Sequence, residues 1–84
     1  MRAVVVVQIY SKRATQWKVA GPTEPVDKVQ EREVTLEIEG DGENGYLLLM
    51  SPTGCFTADT WHESIEDAKD TAYRVFGVPP EGWK

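Results

Sequence analysis

The sequence predicts an α+β fold: a mainly antiparallel sheet of four or five strands with one C-terminal α-helix packed on one face. Three stretches carry this expectation. Residues 33–39 alternate acidic or hydroxyl side chains with Val34, Leu36 and Ile38, the period-two pattern of a strand with one buried face. Residues 3–7 and 46–50 are short apolar runs of strand length. Residues 59–83, DTWHESIEDAKDTAYRVFGVPPEGW, hold a start signal, an apolar stripe and a stop signal for one amphipathic helix.

Taken in order, residues 3–10 (AVVVVQIY) read as a β-branched strand without a polar face, covered on both sides or paired at a dimer interface. Ser11 to Ala14 is a polar turn. Thr15 to Ala20 then alternates, with Trp17 and Val19 facing one way, so the two segments read as a β-hairpin. Gly21 to Arg32 is a long connection containing Pro22 and Pro25, and the spacing of Val26 and Val29 points to one helical turn within it. Glu33, Thr35, Glu37 and Glu39 face outward from the next strand, an acidic row that discourages edge-to-edge aggregation. Residues 40–45 form a turn ending in Asn44-Gly45, and Tyr46 to Met50 is the second apolar strand. Pro52-Thr53-Gly54 turns the chain again, and Cys55 to Ala58 reads as a short last strand.

For the helix, two start signals compete: Thr60 with Glu63, and Ser64 with Asp67. Ile65, Ala68, Ala72, Val75 and Phe76 share one helical face, and the small Ala68 and Ala72 let the axis lie close to a sheet. Asp70 with Arg74, and Glu66 with Lys69, have ion-pair spacing. Gly77 supplies a left-handed end, Val78 is placed to close on Tyr73 in a Schellman-type contact, and Pro79-Pro80 block continuation. Trp83 is expected to fold back over one end of the core.

A chain of 84 residues has room for one small domain, 1–84, with a single core layer. It has no apolar run long enough to span a bilayer and no signal-peptide pattern, so a cytoplasmic location is expected. Cys55, the only cysteine, forms no internal disulfide and fits a reducing compartment. Charge is unevenly spread. Residues 1–20 carry Arg2, Lys12, Arg13 and Lys18 and no acid, whereas the rest holds fourteen acids against five bases, a charge of −9. Such an acidic balance speaks against general nucleic-acid binding, which depends on neutralising phosphates.

From Ile38 to about residue 72 the chain resembles the HicB-type antitoxin domain. The likeness lies in the acidic Gly-rich turn, Gly45-Tyr46, Pro52, Gly54-Cys55-Phe56-Thr57, Asp59-Thr60, and the helix with Glu66, Ala68 and Ala72. The resemblance implies a small sheet with helices that neutralises an RNA-cleaving partner protein. Family members usually add a further strand after this helix, and here two extra strands precede the matching part. The Asp59-Thr60-Trp61-His62 entry and the Trp83 ending also resemble small bacterial proteins with no assigned role.

Few residues invite chemistry. Cys55 and His62, with Asp59 nearby, suggest a thiolate activated by a base, but a strand residue and a helix-entry residue need not meet. A small buried apolar Cys55 and a polar edge His62 are the simpler reading, and no catalytic residue is expected. His62 and Glu66 share a helical face without further ligands, and Asp41, Glu43 and Asn44 lack the twelve-residue calcium pattern, so neither metal nor cofactor is expected. Trp17, Trp61 and Trp83 are a heavy aromatic load, and aromatic residues are enriched at partner-facing surfaces. Trp61 is the best candidate anchor, with His62 and Trp17 as weaker partner-binding candidates. The expected function is a non-catalytic protein-binding module, with an inhibitor of antitoxin or immunity type as its specific form. The alternatives are a self-assembling homodimer, joined through faces that one helix leaves open and with the acidic strand 33–39 away from the interface, and, third, a small Cys/His enzyme.

Overall fold

The computed structural model describes residues 1–13, 16–21 and 28–84, with side chains for all of these but Lys12 and Arg13. Five antiparallel strands form one curled sheet: β1 (Arg2–Arg13), β2 (Gln16–Val19), β3 (Val29–Asp41), β4 (Gly45–Pro52) and β5 (Ala58–His62), in the order β2-β1-β3-β4-β5. Helix α1 (Ile65–Phe76) packs on one face, and a short 3-10 turn (Pro80–Gly82) follows. The α+β expectation is met, and the chain order of elements sets the sheet order except at β2, which lies outside β1.

Register decides which side chains the helix covers. Val34, Leu36 and Ile38 of β3 are buried, and they pair across with Val5 and Ala3 of β1 and with Pro52, Met50 and Leu48 of β4. These inward rows, with Ile9, meet Ala68, Ala72, Phe76 and Val78 to form the core. The other face carries Val4, Val6, Glu33, Thr35, Glu37, Glu39, Leu47, Leu49, Asp59 and Trp61, following the alternation of a pleated strand. Residues 3–10 are therefore covered on one side only, and their apolar outward residues stand in solvent.

Several boundaries move. β3 begins at Val29, so the expected connection 21–32 gives up its last four residues to the sheet, where they pair with residues 7–10 of β1. Val26, and with it the expected helical turn, lies outside the described residues. The last strand is Ala58–His62 rather than 55–58, and α1 starts only at Ile65. Ser64 is its N-cap, accepting a hydrogen bond from the Asp67 N–H at 3.0 Å; Thr60, the rival cap, sits in β5. Pairing with β4 explains this: residues 58–62 find ladder partners in residues 46–50, which outweigh a weak local capping signal. The buried helical face is Ala68, Ala72 and Phe76, while Val75 is exposed. Asp70 and Arg74 form their ion pair at 3.0 Å, but Glu66 and Lys69 form none among the described residues.

The helix ends as expected at Gly77, whose φ of +75° is left-handed. Its N–H donates to Tyr73 O at 2.9 Å and the Val78 N–H donates to Ala72 O at 3.4 Å, so two bonds close the helix end, though not on the carbonyls of a Schellman pair. Val78 then turns into the core, and Trp83 packs against the core's edge. Lys84 and Arg2 exchange two backbone hydrogen bonds of 2.8 and 2.9 Å, tying the chain end to the start of β1. Trp17 closes the other end. Its ring lies 6.3 Å from that of Phe76, and its Nε1 donates to Phe56 O at 2.8 Å, so β2 is drawn over the helix terminus toward the β4–β5 connection. No described helix is long and apolar enough to cross a membrane.

Candidate functional site

One helix covers one face of the sheet. On the other face the large apolar residues remain open: Val4 is 50% exposed, Val6 58%, Leu47 39% and Trp61 62%. They fall into two groups separated by the acidic row of β3. Val4 and Val6 stand opposite Thr35 and Glu33 on one side. Leu49 and Leu47 stand opposite Glu37 and Glu39 on the other, and Trp61 extends the Leu47 rung onto β5. Glu31 continues the acidic row beyond Glu33. None of Glu31, Glu33, Glu37 and Glu39 takes part in an ion pair among the described residues.

Trp61 is exposed yet fixed. Its Nε1 donates to Asn44 O at 3.0 Å, and its ring lies over Gly45. The β3–β4 turn beneath is held by Asp41, whose Oδ1 accepts from the N–H groups of Asn44 and Glu43 at 2.8 and 2.9 Å. The Asn44 bond first, and the Glu43 bond after it, hold the Asp41 carboxyl below its ordinary pKa by favouring the charged form. An ionised aspartate thus orders the turn that supports the indole.

The structure places the other two partner-binding candidates differently. Trp17 is half-buried against the core, with its indole N–H engaged by Phe56. His62 is only 6% exposed. Its Nδ1 lies 2.7 Å from Asp67 Oδ2 and its Nε2 lies 2.6 Å from Thr60 Oγ1. A carboxylate can only accept, so Nδ1 donates to Asp67, and in the neutral ring Nε2 accepts from the threonine hydroxyl. With both nitrogens committed and its ring buried, His62 has little to offer a partner. It is not engaged with Cys55, whose backbone N–H closes the Pro52 turn, so the Cys55–His62–Asp59 arrangement does not form.

The chain Thr60–His62–Asp67 has the order hydroxyl, imidazole, carboxylate that activates nucleophiles elsewhere. Sequence reading missed it because Thr60 and Asp67 were each legible as part of a helix start. Here it bridges the end of β5 to the first turn of α1. A depression of about 510 Å3 runs along the solvent side of α1 between Glu66, Lys69, Asp70, Tyr73 and Pro80. We read the relay as a clamp that sets the strand-to-helix angle. No group of three or more potential metal ligands occurs among the described residues.

No family model, curated protein or solved structure matches this chain.

Proposed function

We propose that this chain is a non-catalytic protein-binding module that docks through the outer face of its sheet, with Trp61 and Leu47 at the centre of one contact patch. The observation that carries this reading is the open face itself. Four large apolar side chains stand in solvent on the side of the sheet away from the helix, and one of them is an immobilised tryptophan. Apolar patches of this kind mark interaction sites. A tryptophan fixed before binding loses little rotamer freedom when a partner arrives, which is why such residues dominate binding energies.

A module of this sort acts by covering a surface of its partner. An inhibitor of antitoxin or immunity type works in that way, and the resemblance of residues 38–72 to an antitoxin domain supports that role. The burial of His62 and the engagement of both its nitrogens support a structural rather than a catalytic histidine.

Position-specific photo-crosslinking in the source cell tests the reading. A photoreactive residue at Val6 or Leu49 should capture a protein partner, and one at Lys69 on the helix should not. Crosslinks from the helix side alone would refute docking through the sheet.

A further inference from the structure

We infer that the occupant of the open face is a basic protein segment, rich in lysine or arginine with apolar residues between, rather than a second copy of this chain. This rests on the docking role proposed above and adds the chemistry of the partner. Two independent features point to a cation.

The first is the rung pattern. Val6 faces Glu33 across the β1–β3 ladder, and Leu49 faces Glu37 and Leu47 faces Glu39 across the β3–β4 ladder. Each rung therefore offers an apolar side chain beside a carboxylate. A lysine or arginine matches both at once, since its methylene stem lies on the valine or leucine while its head reaches the acid. Along β3, Glu31 and Glu33, and again Glu37 and Glu39, are two residues apart, roughly 7 Å. A partner strand with basic residues at alternate positions has the same spacing. Asp59 adds another carboxylate beside Leu49 on β5. Of the bases on this face, Arg2 stands across from Glu37, and Lys18 lies over the Tyr10 ring at 5.5 Å from its centroid.

The second feature is Trp61. Its only donor is already used by Asn44 O, so it has no hydrogen bond left to give. What it offers a partner is the face of its ring, and among polar groups the one that binds an indole face is a cation.

The same pattern disfavours the other occupants. A two-fold axis over this face would set the β3 glutamate row against its own copy. An acidic partner or a nucleic acid would meet the same repulsion.

The test uses the full chain labelled with nitrogen-15 and two synthetic octapeptides, one alternating Lys and Val and one alternating Glu and Val. The Lys–Val peptide should shift the amide signals of Val4, Val6, Leu47 and Leu49 and the Trp61 indole signal. Its affinity should fall at least about tenfold between roughly 50 and 500 mM salt, as screening requires. Glu33→Gln with Glu37→Gln should weaken it comparably while leaving the fold, read from the amide spectrum, unchanged, because both side chains face outward. Trp61→Leu, which keeps apolar area but removes the ring, should weaken it as well. Equal binding of both peptides, shifts confined to the helix around Glu66 and Asp70, or no binding at all would overturn the assignment. So would crosslinks from Val6 and Leu49 to an acidic partner or to a second copy. Those crosslinks would leave docking through the sheet standing and remove only the basic partner, whereas crosslinks from Lys69 alone would remove both.

Discussion

The indole of Trp61 rests on Gly45, its diagonal neighbour across the β4–β5 ladder: a Cβ added to Gly45 would lie 2.5 Å from Nε1 and 2.6 Å from two ring carbons. Gly45 also sits at φ +88°, a conformation that L side chains rarely adopt. Two separate demands therefore fall on one residue. Gly45→Ala should cost about 1–3 kcal/mol, part from backbone strain and part from displacing the ring. In a Trp61→Ala background the second part vanishes, so the two substitutions should be clearly non-additive in a double-mutant cycle. Additive denaturation free energies would mean that the ring does not bear on Gly45.

His62 joins β5 to α1 through Thr60 and Asp67, and it is the one buried ionisable side chain among the described residues. His62→Ala should cost about 1–3 kcal/mol, from lost packing and from two lost hydrogen bonds. Thr60→Val keeps the shape and removes only the hydroxyl, so it should cost less than half as much. Chemical denaturation ranks the two variants, and a Thr60→Val effect equal to that of His62→Ala would argue against a clamp centred on the histidine.

Much of the fold was legible in local pattern, and what was not depended on pairing between distant residues. The alternation at 33–39 and the Gly77-Val78-Pro79-Pro80 ending are local signals, and both appear where the sequence places them. Residues 59–62 read as the start of the helix segment, after a strand ending at Ala58, because Thr60 and Ser64 are equally good caps. Only the ladder with Tyr46 to Met50 decides for Ser64. The Thr60–His62–Asp67 relay was invisible for the same reason, since Thr60 and His62 share a face only when they lie in a strand. Trp61 was legible as an exposed aromatic residue. Its support by Gly45 was not, because that contact exists only in one register.

Burial of α1 against the sheet makes a sharp contrast between two of its positions. Ala72 is fully buried and Glu66 is exposed. Ala72→Glu sets an unpaired charge into the apolar core and should unfold a domain of this size, a loss of several kcal/mol. Glu66→Ala should be nearly silent. Gly77→Ala lies between them, at about 1 kcal/mol, because its left-handed conformation must be kept with a Cβ present. Melting curves of the three variants check the order.

Asp41 carries a pH dependence whose sign is set by its hydrogen bonds. The Asn44 and Glu43 N–H groups stabilise the carboxylate, so its folded pKa lies below that of an ordinary aspartate. A depressed carboxyl pKa contributes stability above the unfolded value, and that contribution is lost as pH falls through the folded one. Asp41→Ala should therefore destabilise the protein at neutral pH, and its deficit relative to the parent should close in strong acid. A carbon-13 titration of the Asp41 carboxyl should give a midpoint below that of a free aspartate. A midpoint at or above the free value would mean that the turn is not organised by the charged form.

The acidic row of β3 sits in the middle of the open face rather than away from it, and this sets how the chain should associate with itself. Val4, Val6, Leu47 and Trp61 favour covering the face, while Glu31, Glu33, Glu37 and Glu39 oppose covering it with an identical one. The repulsion between such carboxylate rows is screened by salt. At neutral pH and low salt, light scattering should report a monomer over a wide concentration range. Raising the salt concentration, or replacing Glu33 and Glu37 by Gln, should promote self-association, and adding Leu47→Asp or Val6→Asp should abolish that gain. The aspartate substitutions make the result specific, because they act on the apolar half of the same rungs. A dimer that forms at neutral pH, and that Val6→Asp dissociates, would show that the apolar residues outweigh the glutamates and that the face is made for its own copy.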